Sequence, residues 1–143
     1  MISEKEVDIQ TYMASLSERG VKYNDGVAYI MPESSSDGLD LLSEHSPDLR
    51  KDFKEYGIDS VVVKAAQYKY LALRSADIIL PLIFGIPFAI FANFATDWIR
   101  KNVSGNKTVR LKFIKEDEGK YKEIVVEGTG DDVKKILDSL KDH

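Results

Sequence analysis

The 22 residues from Ile78 to Ile99, IILPLIFGIPFAIFANFATDWI, constrain this chain more than any other stretch. From Ile78 to Ala92 no side chain carries a polar group, and twelve of the 22 are Ile, Leu or Phe. A run this apolar must leave water, into a core, a subunit interface or a bilayer. At roughly −0.3 to −0.6 kcal/mol each, the twelve favour membrane insertion by about −4 to −7 kcal/mol, before Asp97, Asn93 and the prolines are set against them.

Three features favour burial against protein. Pro81, Gly85 and Pro87 interrupt the run, and proline pushes the residue before it out of helical geometry. The spacing predicts a helical element broken near Ile86, with Pro87 opening a second helix that reaches Lys101. At 1.5 Å per residue that helix is about 22 Å long, too short to span a bilayer alone. Its polar residues Asn93, Thr96, Asp97 and Arg100 fall at i, i+3, i+4 and i+7, a single wet stripe on an otherwise apolar helix. Finally, Lys and Arg are denser just after the run than just before it. The positive-inside rule would send the first 76 residues across a membrane, with no signal-peptide pattern to take them there.

At 143 residues the chain reads as a single α+β domain (1–143) with two halves. Residues 1–76 carry 9 Lys and Arg against 13 Asp and Glu, while 77–143 carry 11 of each. The net charge of −4 disfavours nucleic acid as a partner. The absence of cysteine removes disulfides, thiolate metal sites and thiol nucleophiles together. It is compatible with a cytoplasmic setting, with membrane association as the alternative.

Along the chain, Ser3 and Glu6 form a capping-box pattern, so a helix is expected to run to about Arg19 and end at Gly20. Val21–Tyr23 and Val27–Met31 read as a hairpin around Asn24-Asp25-Gly26. Ser34–Gly38 reads as a loop entering a short helix, capped at Ser36 or Asp37, that turns Leu39, Leu41 and Leu42 inward. A second short helix is expected after Ser46-Pro47, with Leu49, Phe53 and Tyr56 on one face and Gly57 as its stop. Ile58–Lys64 is β-branched and reads as a strand. Tyr68–Leu73 fits either a strand or a helical lead-in, with Ser75 or Asp77 capping the apolar element. Thr108–Lys115 alternates, Val109, Leu111 and Phe113 against Thr108, Arg110 and Lys112. The Glu116–Gly119 turn, the strand Lys120–Glu127 and a helix with Val133, Ile136, Leu137 and Leu140 complete a ββα unit. Thr129 and Asp132 mark that helix's start.

No nucleophile, base and orienting group can be assembled from this sequence. It has two histidines, His45 and the terminal His143, too few for a histidine metal site or a choice of catalytic base. Asp97, set among Phe94, Trp98 and Ile99, is the acid most open to perturbation, with Arg100 and Lys101 as its expected partners. No catalytic residue, metal ligand or cofactor site is assigned.

The order from Ile78 onward resembles the effector-associated constant components of bacterial conflict systems. The likeness lies in an apolar helix ending Trp98-Ile99-Arg100, a strand from Val109 to Lys115 and an acidic-Gly turn. A strand ending Val126-Glu127-Gly128 and a helix from Asp131 to Leu140 follow. It covers about 65 residues and implies a non-enzymatic accessory partner of defence effectors, with no catalytic residue.

The expectation is therefore a protein-interaction module that self-associates or binds a protein partner through residues 78–99. Ile83, Phe84, Phe88, Phe91, Phe94 and Trp98 would form the contact, and Asn93, Asp97 and Arg100 the polar stripe. Membrane insertion of the same segment is the first alternative. A small ligand binder or enzyme with an apolar pocket, using Asp97 or His45, is the second.

Overall fold

A computed structural model of the chain describes residues 1–71, 77–104 and 106–141. It is of mixed α+β class, with two sheets. The elements in order are β1 (Ile2–Val7), α1 (Ile9–Glu18), β2 (Ala28–Ile30), β3 (Ser34–Ser36), β4 (Leu39–Ser43), α2 (Ser46–Glu55) and β5 (Ser60–Val62). Then come β6 (Gln67–Leu71), β7 (Ile78–Phe84), α3 (Phe88–Asn102), β8 (Thr108–Asp117), β9 (Lys120–Thr129) and α4 (Gly130–Lys141). The larger sheet runs β1-β9-β8-β7-β2-β5 and the smaller β3-β4-β6.

Period-two alternation divides the strand side chains between two cores. Ala28, Ile30, Val109, Leu111, Phe113, Ile124 and Val126 face α2, α3 and α4 on one side of the larger sheet. Tyr29, Met31 and Ile114 face α1 and its Leu16 on the other. In β7 the parity changes. Ile78 and Leu80 join the first core, then Ile83 does, while Leu82 and Phe84 turn to the second. The switch follows from a register shift between Ile79 and Leu82 in the pairing with β8. Pro81 lies inside that irregularity, where a missing N–H breaks no regular ladder bond.

The apolar run is thus not helical throughout. Its first seven residues are the parallel neighbour of β8 and the antiparallel neighbour of β2. An apolar run of this length suits a buried strand as well as a helix, and the two flanking strands supply the ladder bonds that decide it. The break falls where the prolines place it, with Pro87 as the N-cap of α3. Gly85 has φ +105°, and a Cβ there would lie 2.2 Å from the Val27 carbonyl oxygen and 2.8 Å from Tyr29 Cδ2, so only glycine fits. Among the described residues, no helix is long and apolar enough to cross a membrane.

Three N-terminal expectations are corrected. Residues 2–7 are a strand, paired residue for residue with β9 from Val126 back to Tyr121, instead of the first turns of a helix. The partner lies some 120 residues away, beyond any local capping signal. Helix α1 starts later, with the Asp8 side chain accepting from Gln10 N at 2.9 Å. Asp8→Ala is expected to lower stability by about 1 kcal/mol in urea unfolding. An unchanged midpoint would show that α1 does not depend on this cap.

The Asn24–Gly26 hairpin is absent, because β2 pairs with β5 and β7 and Val21–Tyr23 is not a strand. Tyr23 instead stacks on Tyr29, ring centroids 5.5 Å apart, and the Tyr29 hydroxyl accepts from Asn24 N at 2.6 Å. Third, Ser34–Ser43 is a hairpin instead of a loop and helix. Asp37 and Gly38 have φ of 51° and 78°, the two left-handed positions of a tight hairpin turn.

Helix α2 begins at Ser46, but that side chain is not its cap. Ser46 is buried with its hydroxyl unpartnered, and the N-cap is His45. Tyr68–Leu71 resolves as strand, within β6 paired parallel to β4. Leu73 and the cap candidate Ser75 lie outside the described residues, as does His143. Asp77 precedes a strand, so it caps no helix. The C-terminal ββα unit forms as expected, turning at Glu118-Gly119, with Thr129 Oγ1 accepting from Asp132 N at 3.2 Å.

Candidate functional site

The six apolar residues expected to form a contact surface are in the chain's own core. Ile83, Phe84, Phe91, Phe94, Trp98 and Phe88 are all buried, each 9% exposed or less. Phe91 stacks on Phe113 with centroids 4.3 Å apart, and Phe53 on Phe94 at 3.9 Å. Trp98 Nε1 donates to Asp52 at 2.9 Å, the partner its burial requires. Of the apolar side chains on α3, Ile90 turns outward, 45% exposed.

The polar stripe does lie at the surface, and its members are engaged. Lys141 Nζ donates to Asn93 Oδ1 at 2.9 Å. Arg100 donates to Asp97 at 2.9 Å, and the Tyr56 hydroxyl donates to the other Asp97 oxygen. These bonds hold the Asp97 carboxyl below its ordinary range, the tyrosine bond being the largest cause. The same bond pushes the Tyr56 phenol up to about 12. The stripe therefore ties α3 to the end of α2 and to α4.

An open cleft of about 880 Å³ lies at the carboxyl ends of the parallel strands β7 and β8, beside the start of α3. Met13, Tyr23, Phe84, Ile114 and Tyr121 give it apolar and aromatic walls. Burial and a bond to Asp25 push the Tyr23 phenol up to about 12. Neither Asp97 nor His45 lines this cleft. His45 stands edge-on to Trp98 and 3.9 Å from Glu44. Among the described residues no three His, Cys, Asp or Glu gather to hold a metal.

Two charged clusters also lie outside the sequence reading. Asp40, 1% exposed, takes bonds from Arg19 Nε at 2.7 Å and Nη2 at 2.8 Å, from Ser35 Oγ, and from Ala65 N at 2.7 Å. These partners hold its carboxyl down at about 2, with the Arg19 bond foremost. Glu33, just before β3, has its Oε1 buried and unpartnered and its Oε2 3.8 Å from Lys112 Nζ. Burial raises its carboxyl against the pull of Lys112 and Arg110. On the basic face of β8, Arg110 reaches across to Glu127, at 3.9 Å. Lys112 turns to Glu33 instead.

The feature that offers contact is β6. Among the described residues it is one of the two outer strands of the smaller sheet, with β4 on its inner side. Tyr68 and Tyr70 are 40% and 47% exposed and meet edge-to-face at 5.8 Å. Lys64 Nζ sits 4.3 Å over the Tyr68 ring. Tyrosine carries large apolar area on few rotatable bonds and keeps a polar tip, the combination enriched where proteins meet. The alternation Gln67-Tyr68-Lys69-Tyr70 was the available signal, but only the pairing with β4 shows that both rings share one open face.

The chain is a mixed α+β protein with a tyrosine-bearing strand at one edge of its smaller sheet. No protein-family model, no curated protein and no solved structure matches the chain.

Proposed function

We propose that this chain is a non-enzymatic interaction module that binds an extended segment of a partner protein along β6. The observation that carries the reading is an outer strand bearing two half-exposed tyrosines on one face. A segment added to that edge would gain main-chain bonds from β6 and cover the tyrosine pair. Lys69, in the middle of the strand, favours a partner with an acidic side chain opposite it. It disfavours a second copy of β6, which would set like charges against each other. The resemblance described above would make the partner a defence effector and this chain its accessory component.

The test is a photo-crosslinking side chain placed at Tyr70 in the native host, with Ile90 as the control position. A discrete adduct from Tyr70, missing from Ile90, is expected. No adduct, or the same adducts from both positions, would end the reading. With the captured partner in hand, Tyr68→Ser/Tyr70→Ser should weaken binding by at least about 2 kcal/mol, roughly thirtyfold, as paired interface tyrosines do. The stability of the exposed double variant should stay within about 1 kcal/mol of the parent.

A further inference from the structure

Helix α2 and the chain entering β5 enclose a second groove, of about 440 Å³. Arg50, Lys51 and Lys54 line it together with Ile58, Asp59 and Ser60. All three cations are exposed, and among the described residues no carboxylate lies within ion-pair distance of any of them. Three cations against the single carboxylate of Asp59 give this groove a net positive lining in a chain of net charge −4. The Ser60 hydroxyl in the groove wall is also without a hydrogen-bond partner.

The groove adjoins an open sheet edge. Strand β5 ends the larger sheet, with β2 on its inner side. Asp59 O accepts from Ala28 N and Val63 N donates to Ile30 O, both at 2.9 Å. A parallel ladder alternates, so Ser60 and Val62 direct their backbone N–H and C=O groups to the outer side.

We propose that this groove binds an acidic, extended segment of a partner protein, added as a strand outside β5. The spacings agree. Arg50 and Lys54 are about 6 Å apart along the helix axis. Alternate side chains of an extended strand recur at about 6.7 Å. Glutamates at i and i+2 would therefore meet the cations in turn, while the backbone pairs with Ser60 and Val62. Main-chain bonds supply affinity and the cations select the sequence. This site is distinct from β6 and stands or falls independently of it.

The probe is a fluorescent peptide, Thr-Glu-Val-Glu-Val-Glu-Thr, followed by anisotropy against the full chain, beside its Glu-to-Gln counterpart. The acidic peptide should bind, lose about tenfold or more at high salt, and outbind the neutral one by a similar factor. Lys51→Glu/Lys54→Glu should abolish binding while leaving the circular dichroism unchanged. Ser60→Pro, which removes an outward N–H at the first position of an edge strand, should weaken it with every cation in place. Tyr68→Ser/Tyr70→Ser should leave it unaltered. No binding, equal binding of the neutral peptide, or binding indifferent to charge reversal would overturn the proposal. A concentration-dependent dimer dissolved by the charge reversal would make a second copy the occupant, and would overturn it too.

Discussion

Replacing Asp40 with alanine is expected to lower the unfolding free energy by about 3–5 kcal/mol, the usual cost of removing one member of a buried ion pair. Asp40 gathers α1, β3, β4 and the segment after β5 into one network, through Arg19, Ser35 and Ala65. Arg19 is itself largely enclosed and also donates to the Ser15 carbonyl and hydroxyl. Alanine would leave its guanidinium without its principal counter-charge, and would leave the Ala65 amide unpaired. Urea unfolding followed by circular dichroism measures the loss, and a change under about 1 kcal/mol would show that the network is not structural.

The same carboxylate gives a pH signature. Its folded value of about 2 lies below the ordinary 3.8, so folding favours the ionised form. The stability this contributes is complete above about pH 4 and disappears as pH falls toward 2. Glu33 works in the opposite sense. Its raised carboxyl favours the protonated form on folding, a contribution present in acid and lost as pH rises through the folded value. Asp40→Asn should therefore be less stable than the parent near neutrality and show a flatter acid limb between about pH 4 and 2. An acid limb as steep as the parent's would assign the acid sensitivity to other groups.

Phe91→Ala should cost about 3–5 kcal/mol, the range for deleting a buried phenylalanine ring. Phe91 is 2% exposed, stacks on Phe113 of β8 and lies 6.3 Å from Phe88, so its ring joins α3 to the sheet. Total stabilities of single domains are about 5–15 kcal/mol, so the loss would consume a large share. The denaturation midpoint should fall while its slope with urea stays unchanged. The same measurement distinguishes a core ring from an interface ring. A core ring lowers the stability of a single chain, whereas an interface ring changes the mass of an assembly and leaves the single chain as it was.

Legibility followed sequence distance. The β8–β9–α4 unit could be read because its partners are close. Asp117 pairs with Lys120 across Glu118-Gly119, and Thr129 caps the helix that begins beside it. The stop at Gly57 and the break before Phe88 were also readable, since glycine and proline act on their own backbone. Strand β1 was hidden, because Ser3 and Glu6 satisfy a helix-start pattern while the edge of β9 that claims them is distant. Strand β4 is the exception: its turn at Asp37-Gly38 and its partner β3 are local, but the serines of β3 and the leucines at 39–42 show no clear period, and the parallel partner β6 comes later in the chain.

Residues 78–99 draw the line between what sequence determines and what the fold decides. Their composition alone required that they leave water, and their prolines set where the backbone must change course. Which residues would sit outside on α3 was also written in the i, i+3, i+4, i+7 spacing of Asn93, Thr96, Asp97 and Arg100. Only the tertiary structure decided that Ile78–Phe84 is a strand, since β2 and β8 supply its ladder bonds, and that the phenylalanines meet Phe53 and Phe113 of the same chain. The physical reason is that the hydrophobic effect is non-directional. It fixes which side chains are buried, but what they are buried against depends on hydrogen-bonded strands far apart in the chain, and so does which strand edges remain open to a partner.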